Sequence, residues 1–377
     1  MKKHAFVELA EVQRITKTMY CAGLDPHPFP GGWQGNFDIY GEALSPEEKN
    51  YMEGEVYPFY YNLIKIFTPQ HQDAMKFAFT LATVECYMIK IINAMVKKCG
   101  VQVFKPQAGF FEQFGPLGYI MLARIKMHTE ELERNYGKII IILDCKRGDI
   151  ATTQAAYFLG LMGNLFESWG VNYVPFGFEI INVTPWMGLD VMVIGTKEKP
   201  GIGLKLMQEG KCIIAVNNTS NPSGPRYQKQ IIDDKGTSVQ MLNVQDCALL
   251  SKEHDLEFAG LSTIGLVVGS THICDGSIRK AFPGTTMLVP GYGAQGGKFQ
   301  NVYQELIPSG NEFAGQGQIS SLSRASCYPF LIENGGSGKI KNLEEDLIIS
   351  VSNFRIAEKK AFDDPILKEK GIFYPFN

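Results

Sequence analysis

Short runs of apolar and β-branched residues recur along the whole chain, and longer stretches whose apolar positions follow a helical period separate them. The runs predict eight strands, at residues 19–24, 101–104, 139–143, 178–183, 212–216, 264–268, 286–289 and 319–322. The helical pattern predicts helices over 73–98, 116–134, 150–169, 238–254, 298–306 and, beyond the last strand, 343–360. Eight strand–helix repeats in one chain fit a single (β/α)8 TIM barrel, class α/β, better than two dinucleotide-binding halves. Three segments exceed a minimal barrel, at about 26–60, 221–236 and 308–318, each rich in Gly, Pro, Ser or Asn. They read as insertions at the barrel mouth, the first helical from Pro46 onward with Tyr57, Phe59, Tyr60 and Tyr61 as its own core. With no linker, internal repeat or low-complexity tract, residues 1–377 read as one domain.

Barrel enzymes build their sites at the C-terminal ends of the strands. Polar residues gather there: Asp25 after the first strand, Lys105 after the second, Asp144 and Lys146 after the third, Thr219 and Ser220 after the fifth, a Gly-rich loop after the seventh and Arg324 after the eighth. An apolar strand ending in a charge is costly unless that charge is solvated, paired or bound to ligand.

Composition narrows the class. The chain carries 36 Lys and Arg against 39 Asp and Glu, so it lacks the basic excess that nucleic-acid binding requires. Its eight cysteines are scattered without a C-x-x-C pair and read as reduced thiols. The opening residues break their apolar run at Glu8 and Glu11, unlike a signal peptide, and no stretch approaches the ~18 apolar residues of a membrane helix. A cytoplasmic location, with neither membrane nor nucleic-acid partners, is the expectation.

IIIILDCKRGDI carries the most chemistry. Side chains alternate along a strand, so Asp144 and Lys146 share a face opposite Leu143 and Cys145. Gly148 breaks the strand, and Asp149 is a suitable N-cap for the next helix. Such a pair is compatible with a plain strand-end ion pair. Barrel closure, however, would bring Lys105 beside Asp144. An alternating Lys, Asp, Lys, Asp array holds its members ionised and suits a reaction that creates a carbanion beside a proton donor.

FKPQAGFFEQFGPLG at 104–118, together with DCKRGD at 144–149, GLDP at 23–26, VPGYGAQGG at 289–297 and SRA at 323–325, resembles the orotidine 5'-monophosphate decarboxylase family. The resemblance runs from about residue 21 to 327. The D-x-K-x-x-D run alone is shared with a wider group of phosphosugar decarboxylases. The resemblance implies a homodimeric (β/α)8 enzyme that uses no metal or cofactor and converts orotidine 5'-monophosphate to uridine 5'-monophosphate. Lys105, Asp144, Lys146 and Asp149 become the catalytic set, with Lys146 protonating C6 and Asp144 near the departing carboxylate. Asp25 and Lys105 would bind the ribose hydroxyls, Thr219 and Ser220 the pyrimidine, and Gln295 and Arg324 the phosphate. Gln107 and Pro290 join the substrate contacts, and Asp149 and Thr153 would enter the neighbouring subunit's site. Association with orotate phosphoribosyltransferase is left open. Trp186 stands where a smaller aromatic is usual, and Arg324 lacks its usual Gly or Asn neighbour.

Gly291 to Gly296 matches G-x-G-x-x-G, but no acidic residue follows about 20 positions on at the end of a second strand. Backbone N–H groups converging on one phosphate account for the same glycines. His272 and Cys274 make two ligands without a third, too few for a metal site. His27, just after Asp25, is placed to touch ligand but reads better as a solvent-exposed loop residue. The competing readings are a metal-assisted phosphosugar decarboxylase and a catalytically silent nucleotide-binding barrel.

Overall fold

Alternating side chains along all eight apolar runs require burial on two faces, and a closed barrel wrapped in helices supplies both. The computed structural model describes residues 3–27, 40–67, 73–164, 170–171, 173–196, 198–292 and 296–376. Its barrel strands are β1 (Tyr20–Leu24), β2 (Val103–Pro106), β3 (Ile140–Arg147), β4 (Ile180–Val183), β5 (Cys212–Asn218), β6 (Ile264–Val268), β7 (Met287–Pro290) and β8 (Gln318–Leu322), with a separate antiparallel pair, Glu257–Phe258 and Leu261–Ser262, outside the barrel. The barrel strands all pair in parallel in chain order, and β8 closes onto β1 with Ala22 opposite Leu322. Gly23 lies opposite Lys105 across β1 and β2. A Cβ on Gly23 would lie 2.7 Å from the Ser323 Cα, so β1 and the end of β8 approach too closely for any larger residue.

Cys21, Val103, Ile140, Ile142, Ile180, Ile214, Val267, Leu288 and Ile319 fill the barrel interior. Phe6, Leu9 and Ala10 of the helix Ala5–Thr16 close its N-terminal end, an element that the strand and helix patterns did not predict. The alternate residues, among them Ala22, Phe104, Ile141, Leu143, Ile181, Ile213, Leu266 and Val289, face the surrounding helices.

Helices Ala74–Ala94, Pro116–Tyr136, Val239–Glu253 and Leu343–Ala361 stand where the periodicity predicts them. The first continues through a π-turn to Cys99 and corrects the expectation about membrane-length segments. By length and composition Ala74–Cys99 is long and apolar enough to cross a membrane, but 78% of its most apolar window is buried inside the fold. The helix expected over 150–169 spans Ala151–Leu161: Met162 leaves helical geometry and Gly163 follows, while 165–169 lie outside the described residues. Over 298–306 the chain instead makes two 3-10 turns, Phe299–Asn301 and Tyr303–Glu305. Phe299 and Tyr303, spaced like one helix face, keep their rings 5.2 Å apart and rest on Phe354 and Phe362, with ring centroids 5.2 and 5.1 Å apart.

The first insertion is helical over Pro46–Tyr51 and Tyr57–Phe67, joined by a π-turn; residues 28–39 lie outside the described residues. Buried Tyr60 donates to Glu85, whose other oxygen accepts from Arg124 Nε at 2.8 Å, tying the insertion to two barrel helices. The second insertion holds the short helix Pro225–Gln228. The third is loop as far as Gly317, and β8 begins at Gln318.

Candidate active site at the barrel mouth

The two-residue period that packs the interior also aims the polar residues. Val103 points inward, so Lys105 does; Ile142 points inward, so Asp144 does; Ile180 points inward, so Asn182 does. Asp144 receives Lys105 Nζ on Oδ2 at 2.8 Å and Lys146 Nζ on Oδ1, and Asn182 Nδ2 also donates to Oδ1, at 2.6 Å. Lys105 and Asp144 are 5% and 6% exposed, while the Lys146 side chain is 45% exposed and open to a ligand. Burial pushes the Asp144 carboxyl up, but the two ammonium groups outweigh it and hold the acid well below its usual range. Burial pulls Lys105 down, yet Asp144 and Asp25 raise it above the ordinary lysine value. Lys105 and Asp144 are therefore both charged at neutral pH.

Strand β3 reaches this geometry through an irregularity. Its pairing with β4 slips between Leu143 and Arg147, and Lys146 adopts φ +45°, a left-handed conformation that a side chain rarely takes. On the far side of the slip Arg147 Nη2 donates to Glu112 and, at 2.9 Å, to the Tyr119 hydroxyl. Glu112 belongs to FFEQFG, so the Lys105 segment and the Lys146 segment brace each other.

The remaining wall comes from strand ends and loops. Asp25 takes a hydrogen bond from Ser323 Oγ on Oδ2, and its buried Oδ1 has no protein partner. Thr219 is held on three sides: Gln228 Oε1 accepts from its N–H at 3.1 Å, Gln228 Nε2 donates to its hydroxyl at 2.9 Å, and His272 Nε2 donates to its carbonyl at 2.7 Å. The second insertion thus pins the loop after β5, and His272 is engaged there with backbone. Thr271 Oγ1 secures the Ser220 carbonyl at 3.1 Å. The outcome is one cavity of about 370 Å³ lined by Asp25, Lys105, Gln107, Asp144, Lys146, Thr219, Ser220, Pro290 and Arg324 from the sequence-predicted set. Among the described residues, larger cavities of about 760 Å³ near Arg279 and about 580 Å³ near Trp186 lie elsewhere, and neither gathers these groups.

Two predicted residues do not line the cavity. Asp149 is half-buried and accepts from the Ile150 N–H at 2.8 Å, and Thr153 is exposed. Asp149 is not the N-cap expected of it, since Ile150 occupies that position and the helix starts at Ala151. Nor does it extend the Lys–Asp–Lys array of its own chain, because the irregularity at Lys146 turns the backbone before Asp149 is reached. Gln295 lies outside the described residues.

His27 is not an exposed loop residue: it lines the cavity, with its ring 4.2 Å from that of Phe110, and burial lowers its pKa. Asn182 and Gln228 were also absent from the sequence-predicted set. Asn182 was accessible in principle, two places beyond Ile180 on an inward-facing strand. For Gln228 no local pattern signals that its loop folds back onto Thr219.

A carboxylate between two ammonium groups, above Val267 and Leu288 and beside Arg324 and the backbone at Gly291, makes a site for an anionic ligand with an apolar floor. Residues 74–318 match the model of the orotidine 5'-phosphate decarboxylase / HUMPS family, a match that leaves Asp25 and Arg324 outside it. An orotidine 5'-phosphate decarboxylase of Rhodopirellula baltica is 32% identical over 211 residues, 56% of this chain and 64% of that protein. One of Caldicellulosiruptor bescii is 28% identical over 71% of this chain and 82% of its own length. The orotidine 5'-monophosphate decarboxylase structure of Plasmodium berghei superposes with TM-score 0.63 at 17% identity, over 96% of this chain and 99% of that one, and shares the fold. With well over half its length matching the family model, the chain belongs to the orotidine 5'-phosphate decarboxylase / HUMPS family.

Proposed function

We propose that the protein decarboxylates orotidine 5'-monophosphate to uridine 5'-monophosphate and CO2, the last step of de novo UMP synthesis, without metal or cofactor. The observation that carries this reading is the Lys105–Asp144–Lys146 array inside a cavity that also holds Asp25 and Arg324. In the reaction the C6–carboxylate bond breaks, CO2 leaves, and its electron pair stays on C6 as an sp² carbanion that the ring delocalises poorly. The enzyme must stabilise that carbanion more than it stabilises substrate. The Lys146 ammonium offsets the developing charge and then delivers its proton to C6.

Lys105, held by Asp144, and the unpartnered Asp25 Oδ1 accommodate the ribose hydroxyls. Thr219 and Ser220 contact the base, Gln107 and Pro290 add further substrate contacts, and Arg324 with Gln295 binds the phosphate, whose remote binding energy helps organise the ring. Asp149 and Thr153 do not line their own cavity, in keeping with a homodimer in which they complete the partner's site. A cytoplasmic location accompanies this reading.

Ultraviolet monitoring of orotidine 5'-monophosphate with purified protein in excess chelator tests it. Turnover to uridine 5'-monophosphate at an undiminished rate is expected. No turnover, or turnover only when a divalent metal is restored, would sink it.

A further inference from the structure

Lys146 is held in a left-handed conformation at the slip in β3, and that conformation needs a cause. The backbone N–H groups of Cys145 and Lys146 both point at one atom, Asn182 Oδ1, at 2.8 and 2.6 Å. Two successive N–H groups converge in this way where a chain passes into left-handed geometry, and the concavity they form takes a negatively polarised oxygen. The other end of the same amide, Nδ2, donates to Asp144 Oδ1 at 2.6 Å.

The amide orientation is dictated by these partners. Turned over, it would set NH2 against two N–H donors and an oxygen against a carboxylate. Asn182 is 1% exposed, so no solvent replaces what it supplies. An apolar residue here would leave two buried N–H groups without a partner. An aspartate would satisfy both N–H groups but turn its second oxygen toward Asp144. Among the common side chains of this length, asparagine alone offers an acceptor at one end and a donor at the other.

We propose that Asn182 is a positioning residue for the proton donor, one that fixes the Lys146 backbone and the Asp144 carboxylate together through a single amide. This rests on the decarboxylase reading above. Asn182 touches no reacting atom in this role; it acts through Lys146 and Asp144. It also explains why a lysine whose side chain is nearly half exposed keeps its ammonium on Asp144: its backbone is anchored at the slip and its partner carboxylate is anchored by the same residue.

The test compares the full-length wild type with Asn182→Ala and Asn182→Asp, following kcat and KM for orotidine 5'-monophosphate, affinity for uridine 5'-monophosphate, thermal unfolding and crystal structures. In Asn182→Ala kcat should fall about 10- to 100-fold, as expected for losing hydrogen bonds at a buried site. KM and product affinity should change less than about threefold, and Lys146 should leave positive φ. The nearly isosteric Asn182→Asp should retain the Lys146 conformation. It should shift the acid limb of the kcat/KM profile to higher pH, because a second carboxylate disfavours ionisation of Asp144. Lys146 unchanged in the Asn182→Ala structure, or a kcat within twofold of wild type, would overturn the inference. Parallel losses of kcat, product affinity and thermal stability in both variants would also overturn it, as they mark general damage. If the wild type itself leaves orotidine 5'-monophosphate untouched, the decarboxylase reading fails, and the Lys146 conformation in the variant structures still decides whether Asn182 holds it.

Discussion

Lys105 Nζ lies 2.8 Å from Asp144 Oδ2 across adjacent strands, from residues 39 positions apart in the chain, with both side chains nearly closed to solvent. Desolvating such a pair costs more than an exposed ion pair returns, so the arrangement is tuned for the site rather than for stability. Removing one member leaves the other buried and charged.

The Lys105→Ala protein should therefore lose stability, by about 3 kcal/mol, the lower end for an orphaned buried charge because Lys146 still faces Asp144. Lys105→Ala/Asp144→Ala should recover part of that loss, since the stranded carboxylate is gone. Urea unfolding of the four proteins of this cycle provides the measurement. Strictly additive losses would mean that the two charges do not depend on each other.

Arg324→Ala should weaken uridine 5'-monophosphate far more than uridine, because only the nucleotide presents the dianion that a guanidinium grips through charge-assisted hydrogen bonds. Calorimetric titration with both ligands separates the outcomes. Equal losses would assign Arg324 a structural role at the start of its short helix, Arg324–Cys327.

Lys146→Ala and Asp149→Ala should each be nearly inactive alone, as proton delivery contributes ~10²–10⁴-fold. Unfolded together and refolded, they should regain about a quarter of wild-type activity: half of randomly paired dimers are mixed, and a mixed dimer has one site with both lesions and one with neither. With subunit exchange verified by a tag, recovery of nothing would return Asp149 to its own subunit.

Glu358 sets an expected pH dependence of stability. Its buried carboxylate accepts from Met19 N–H and Thr18 Oγ1, each at 3.0 Å, with Arg355, Tyr292, Tyr303 and Tyr374 on the surrounding elements. Burial raises its pKa from 4.5 to about 7. In the unfolded chain the acid ionises first, so its contribution to stability is complete below pH ~4.5, declines as pH rises, and is lost above about 7. The decline is on the order of 3 kcal/mol at ~1.4 kcal/mol per pKa unit. Glu358→Gln should be more stable than wild type at pH 8 and should flatten the profile between pH 5 and 7, which denaturant unfolding across that range would show. A mutant less stable than wild type at pH 8 would contradict the assignment.

The eight strands, their order and the inward aim of Lys105 and Asp144 were legible in the chain because each depends on local rules. An apolar run bounded by turn residues makes a strand, and a two-residue period carries the packed face of Val103 and Ile142 on to the charges that follow. Helix ends were less legible: the pattern around Phe299 and Tyr303 obeys helical spacing, yet the chain there makes two 3-10 turns whose rings rest on Phe354 and Phe362, more than 50 positions later.

Tertiary structure alone decided what holds the site in place. Asn182 reaches Lys146 across 36 positions, Gln228 leaves an insertion to hold Thr219, and His27 turns into the cavity against Phe110. The sequence by itself determined the barrel and the charges at its mouth, because propensity and alternation act between neighbours in the chain. The left-handed Lys146, the exclusion of Asp149 from its own cavity lining and the plugging of the barrel floor by Phe6 were settled only on closure. Each depends on which distant hydrogen-bonding or apolar group arrives beside it, and no local pattern encodes that meeting.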